Sequence, residues 1–184
     1  MSSMDLAIRF LLENVFMLYI YVVLLRFLLQ LAKADFYNPL SQFVVKATNP
    51  LLKPLRQVIR PVKQQDIASL VLAVFLYGVM IALIALLVYQ SQLSISQLAI
   101  WSLAGTLYAI TGIYLVGIIV SAIMSWIPSA QGHPAAYLLH QLVEPPVAPI
   151  RKLMPDLGGI DLSPLAVLLI LNVIRIFLKP FVPL

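Results

Sequence analysis

The sequence predicts an all-α integral membrane protein, with four transmembrane helices forming two parallel helix–loop–helix repeats and a short interfacial helix in each loop. Three observations predict it. The 184 residues are 62% hydrophobic and only 10% charged, with mean hydropathy +1.00, whereas soluble chains carry roughly 25% charged residues. Four apolar stretches, about residues 15–32, 67–89, 98–127 and 162–178, approach the roughly 20 residues a helix needs to cross a bilayer core. Residues 39–70 also reappear at 134–165 without a gap, at an offset of 95. Pro39 falls on Pro134, Pro50 on Pro145, Pro54 on Pro149, Arg56 on Arg151 and Asp66 on Asp161. Repeat one is read as 1–89, the connection as 90–97 and repeat two as 98–184.

The first span follows Asp5, Arg9 and Glu13 and ends near Ala32-Lys33-Ala34, which has the small-x-small form of a signal cleavage site. The region before it carries no net positive charge, and the run exceeds a signal core of about 7–15 residues, so it is read as a retained helix. Arg26 lies near its loop end, where a long cationic side chain is expected to snorkel to the headgroups.

In the loop 33–66, Asn38 caps a helix opened by Pro39. Positions 40, 43, 44 and 47 give this helix an apolar face, with Ser41, Gln42 and Lys46 opposite. Two placements are open: flat in the membrane interface, which is preferred, or packed on the bundle. His133-Pro134 opens the matching helix of loop 128–161. Pro50 and Pro54, like Pro145 and Pro149, fix φ and bias the preceding residue towards extended backbone. They predict a stiff turn that interrupts the helix. In repeat two, Asp161 or Ser163 can cap the fourth span, with Pro164 in its first turn. Gly78-x3-Ala82 on the second span and Gly117-x3-Ser121-x3-Ser125 on the third have the spacing of close helix contacts, within a bundle or a dimer.

The formal charge of +5 is not a nucleic-acid signal. Eight of the twelve basic residues (Lys33, Lys46, Lys53, Arg56, Arg60, Lys63, Arg151 and Lys152) lie in the two loops, and none lies in the connection 90–97. Basic residues near span ends stay cytoplasmic, so both loops are expected inside and both termini outside. Two spans per repeat give the repeats the same orientation. Anionic lipid, rather than nucleic acid, is the expected partner of this charge.

The run from Pro149-Ile150-Arg151 through Gly158-Gly159-Ile160-Asp161-Leu162-Ser163-Pro164, entering an apolar helix, resembles the YggT (YlmG) family of bacterial and plastid membrane proteins in its two-repeat form. The first copy departs from the pattern: Lys63-Gln64-Gln65-Asp66-Ile67-Ala68 lacks the glycine pair and the Ser-Pro step. The resemblance implies a role in osmotic or ion homeostasis, in division and nucleoid distribution, or in assembly of membrane cytochromes. It implies no enzymatic activity.

The recurring charges are Arg56 with Asp66 and Arg151 with Asp161, each arginine ten residues before its aspartate. They read either as ion pairs at the loop mouth or as capping aspartates beside lipid-contacting arginines. Asn172 and Arg175, three apart on the fourth span with Lys179 beyond, have Tyr77, Met80 and Ile84 at the matching positions. They read as a polar path, or as an outer anchor with Asn172 bonding a neighbouring helix. His133 and His140 match Asn38 and Val45, so the repeat keeps no ligand pair. Absence of cysteine excludes disulfides, thiolate chemistry and cysteine-bound metals. No G-x-x-x-x-G-K-[ST], G-x-S-x-G or H-E-x-x-H occurs.

The expected protein is a non-enzymatic inner-membrane factor without cofactor or metal. It acts through its Pro–Arg loops on lipids and on other membrane proteins or a second copy of itself. The alternative is a small oligomeric channel or transporter. Against it, none of the four spans as read carries Asp or Glu in its interior.

Overall fold

A computed structural model describes residues 2–59, 65–127, 129, 132–154 and 161–182. Six α-helices and a terminal 3-10 turn, Lys179–Phe181, account for nearly all of them: α1 Ser3–Leu31, α2 Pro39–Val58, α3 Ile67–Leu87, α4 Ile95–Ser125, α5 Pro134–Leu153 and α6 Ser163–Leu178. There is no strand among the described residues. α1, α3, α4 and α6 with its terminal turn are long and apolar enough to cross a membrane, and α2 and α5 are not among them. The chain is a multi-pass membrane protein. α2 and α5 begin and end at positions 95 apart, so the duplication extends to the helix boundaries.

α1 starts about twelve residues before the apolar run because its charges are satisfied locally. Ser2 and Asp5 form a reciprocal capping box, and Arg9 pairs with Glu13 one turn on and donates to the Tyr89 hydroxyl beyond α3 at 2.6 Å. At 1.5 Å per residue, α1 and α4 are each over roughly 40 Å long, more than a hydrocarbon core about 30 Å thick. Lys33 (φ 51°) and Gln90 (φ 49°) take the left-handed conformation that ends α1 and α3.

The proline-rich segments are not interrupting turns. α2 runs unbroken through Pro50 and Pro54, and α5 through Pro145, Pro146 and Pro149. A proline inside a helix removes one N–H and crowds the carbonyl four residues back. The interval of four between Pro50 and Pro54, and between Pro145 and Pro149, keeps those losses on one stripe of each helix, with Pro146 beside it in α5. In repeat one, α1 supplies donors to carbonyls just before Pro50: Tyr19 Oη donates to Ala47 O at 3.3 Å, and Arg26 Nη1 to Val45 O at 3.1 Å. The buried stripe of α2 also differs from expectation. It is Ser41, Val44, Thr48 and Leu52, while Leu40 and Phe43 point outwards. Ser41 is tolerated inside because its hydroxyl donates to Asp35 O at 2.8 Å.

α1 packs chiefly on α3, and α4 packs on both α3 and α6. Glycines set the closest approaches. The Tyr77 ring of α3 lies flush on Gly105 of α4, so close that a Cβ there would stand 2.1 Å from its Cζ. Gly78 faces Ser102 across the same interface, and Gly117 faces Val143 and Leu139 of α5. The glycine of each small-residue motif therefore meets a helix of the same bundle, while Ala82 and Ser125 are exposed. The loop helices meet at one end of it. Asn38, which caps α2, donates to Pro134 O at 2.8 Å, and Gln141 accepts from Asp35 N at 3.0 Å.

Candidate functional site

Each loop helix is fastened to the start of the following span by its arginine and aspartate. In repeat one, Arg56 donates through Nε to Asp66 Oδ1 at 3.2 Å and through Nη2 to Asp66 Oδ2. Ser69, in the first turn of α3, donates its hydroxyl to the same carboxylate. A second guanidinium completes the cluster, with Arg26 Nε 3.6 Å from Asp66 Oδ2. Arg26 and Asp66 are only 5% and 3% exposed.

Arg26 therefore does not snorkel to the headgroups. Besides Val45 O, its Nη1 donates to Thr48 Oγ1 at 2.6 Å and Asn49 Oδ1 at 2.9 Å. These partners all sit on the turn of α2 just before Pro50. One side chain thus fastens α1 to α2 and approaches the N-terminus of α3. Burial would push the Asp66 carboxyl up, but the hydrogen bonds from Arg56 and Ser69, with the positive charges of Arg56 and Arg26, hold it below its ordinary value of 3.8. It is a fixed anion, not a proton carrier near neutral pH.

Repeat two keeps the pair and loses the third member. Arg151 Nε donates to Asp161 Oδ2 at 2.9 Å, and Nη1 donates to Glu144 Oε1 at 2.7 Å. Asp161 Oδ1 accepts from Ser163 N at 2.9 Å and from the Ser163 hydroxyl. Asp161 thus bonds Ser163 in the first turn of α6 while holding Arg151, as the ion-pair reading has it; the N-cap itself is Leu162, not Asp161 or Ser163, and makes no side-chain capping bond. The Ser163 hydroxyl and the Arg151 bond keep its carboxyl low, while Glu144 first and Asp161 second hold the guanidinium high. This junction is half open, with the Arg151 side chain 45% exposed. The position of Arg26 is held here by Ser121, and that of Asn49 by Glu144.

The remaining sequence-derived positions divide. Pro164 lies in the first turn of α6 as expected, and Gly158 and Gly159 lie outside the described residues. Among the described residues Asn172 bonds no neighbouring helix; its amide donates to Leu168 O of α6 itself at 2.8 Å. Arg175 is not a free outer anchor. Its guanidinium lies 3.7 Å from the centroid of the Tyr108 ring on α4 and donates to Tyr108 O at 3.1 Å, a cation–π contact that helps dock α6. Lys179 remains exposed. His133 caps α5 by accepting from Ala135 N at 3.1 Å. Among the described residues, no three His, Cys, Asp or Glu side chains are grouped to hold a metal.

The CCB3/YggT family pattern matches residues 6–87 and again 100–182, one match per repeat. The chain is similar to an uncharacterised protein of Pseudomonas aeruginosa, 44% identical over 175 residues, which cover 95% of this chain and 89% of the relative. It is also similar to uncharacterised protein YggT of Escherichia coli K12, 44% identical over 91% of this chain and 87% of that one. A protein encoded in the proC 3′ region of Vibrio alginolyticus is 40% identical, over 89% of this chain and 86% of that one. No solved structure matches.

Proposed function

We propose that this chain, which belongs to the CCB3/YggT family, is a non-enzymatic protein of the bacterial inner membrane whose two loop helices form a cytoplasmic platform. The platform serves envelope and osmotic homeostasis or the assembly of membrane complexes, by engaging lipids and other membrane proteins. One observation carries this reading: α2 and α5 lie at the same end of the bundle, touch through Asn38 and Pro134, and are each locked to a span by an arginine–aspartate junction. Two equivalent helices held in fixed register make a surface, whereas a catalyst would need a poised acid, base or nucleophile. The outward face of α2, with Leu40, Phe43 and Leu51 beside Lys46 and Lys53, fits an interface of apolar chains and anionic headgroups.

Orientation is directly testable because the chain has no native thiol. With the loops inside, Lys53→Cys should resist an impermeant maleimide in intact cells and react once the membrane is permeabilised. Gln92→Cys should react from outside. Labelling of position 53 in intact cells would reverse the topology.

Function is tested by complementation of a deletion strain, with expression matched. Arg151→Ala should fail, and Arg151→Lys should be impaired because an ammonium cannot span Glu144 and Asp161 as a fork does. Asn172→Ala and Arg175→Ala should be milder. An active Arg151→Ala beside a dead Arg175→Ala, together with selective ion flux from purified protein in liposomes, would replace the platform by a conducting path.

A further inference from the structure

Among the described residues, the two repeats differ in both charge and filling at one place. At the loop end of α4, α5 and α6 a cleft of about 660 Å³ opens, lined on its polar side by Ser121, Ser125, His140, Glu144, Arg151 and Asp161 and on its apolar side by residues including Val147 and Leu168. Shifting Ser121, Glu144, Arg151, Asp161, Val147 and Leu168 by 95 gives Arg26, Asn49, Arg56, Asp66, Leu52 and Ala73. Of these, Asn49 and Asp66 meet the buried guanidinium of Arg26, which is only 5% exposed, and Arg56 shares Asp66 with it. The cleft is therefore the second repeat's version of a site that the first repeat fills from its own chain.

Three replacements empty it. Arg26, Phe27 and Gln30 of α1 correspond to Ser121, Ala122 and Ser125 of α4, each smaller than its counterpart. A fourth replacement changes the charge. Asn49, which accepts from Arg26, corresponds to Glu144. Arg26 and Arg56 against Asp66 leave repeat one with a surplus of one positive charge. Arg151 against Glu144 and Asp161 leaves repeat two with a surplus of one negative charge. One monovalent cation would neutralise the second site. In repeat one, the aspartate at this position takes two guanidinium partners, whereas among the described residues Asp161 has one.

We propose that this cleft binds a guanidinium or primary ammonium group carried on an apolar stem and supplied from outside the chain, in the place where repeat one buries Arg26. The cation lies against Asp161 and Glu144, and the stem runs over Val147 and Leu168. The exit follows the exposed apolar side of α6 at Leu165 and Leu169. Two sources share this chemistry: the ammonium headgroup of a membrane phospholipid, or a free amphipathic amine or guanidine.

The test uses full-length protein in phosphatidylcholine nanodiscs, with thermal unfolding as the readout. Phosphatidylethanolamine is added to one series and octylguanidinium to another. A raised midpoint with phosphatidylethanolamine alone assigns a lipid headgroup; a rise with octylguanidinium assigns a site open to free cations. In either case Glu144→Gln should lose most of the shift. Ser121→Arg should unfold at a higher midpoint than wild type without additive and lose the shift, because it restores the repeat-one arginine. Glu144→Gln alone decides the matter if Ser121→Arg does not fold. The proposal is overturned if neither compound moves the wild-type midpoint, or if the shift persists in full in Glu144→Gln.

Discussion

Gly105→Ala is expected to destabilise the protein by about 1–3 kcal/mol, the range for forcing extra volume into a packed core, with a matching fall in the thermal midpoint of detergent-purified protein. An added Cβ would stand 2.1 Å from Cζ and 2.2 Å from Cε1 of Tyr77. That ring is a poor candidate for yielding, because it is only 2% exposed and sits in the core cluster formed by α1, α2 and α3 with Ala109 of α4. Relief requires α3 and α4 to separate, and their interface is the main connection between the repeats. Tyr77→Phe should not rescue the variant, since the clashing ring carbons remain. Tyr77→Leu should rescue it in part, so that the double variant is more stable than the sum of the single effects predicts. Unchanged stability of Gly105→Ala would show that the two helices do not pack with glycine against ring.

This contact illustrates what the sequence could and could not disclose. The four spans and the duplication were legible because they are one-dimensional: apolar runs of bilayer length, and an offset of 95 that later proved to fix both ends of α2 and α5. Contacts between distant residues left no such trace. Gly105 has Ala109 four residues on, the same Gly-x3-Ala step as Gly78 and Ala82, but nothing in that step points to the aromatic ring 28 positions earlier that gives it its significance. The continuous helices through Pro50 and Pro145 were illegible for a related reason. Proline propensity is a local quantity, and here it is overridden where neighbouring helices pack on α2 and α5. The face of α2 was misassigned because Ser41 and Thr48 count as polar until their hydroxyls find backbone acceptors within α2 and the turn before it. Reading only what both copies share isolated the Arg–Asp pairs, and the same filter hid Arg26. Its counterpart is a serine, so it carried no repeat signal. The available signal was physical: a lone arginine within an apolar span must find acceptors or a counter-ion.

Arg26→Ala should be the most damaging single change in the first repeat. Arg26 is 5% exposed, donates to three acceptors on one turn of α2, and faces an aspartate that is 3% exposed. Removing one member of a buried charge cluster typically costs about 3–5 kcal/mol, because the groups left behind lose their compensation. Here the loss falls on four groups: Val45 O, Thr48 Oγ1, Asn49 Oδ1 and the Asp66 carboxylate. Arg56 and Ser69 still hold Asp66, so the larger effect should appear at the α1–α2 contact. Cysteines introduced on the exposed side of α2 should become more mobile by spin labelling, while those on α3 change little. Arg26→Lys should recover only part of the stability, since one ammonium cannot reach the α2 acceptors and the aspartate with a fork's geometry. Arg26→Met combined with Asp66→Asn removes both buried charges and should be less damaging than the two single effects added together. By contrast Ser121→Ala, at the matching position of repeat two, should be nearly silent in stability. An Arg26→Ala protein as stable as Ser121→Ala, with α2 unmoved, would mean that the buried cluster does not hold the first loop helix to the bundle.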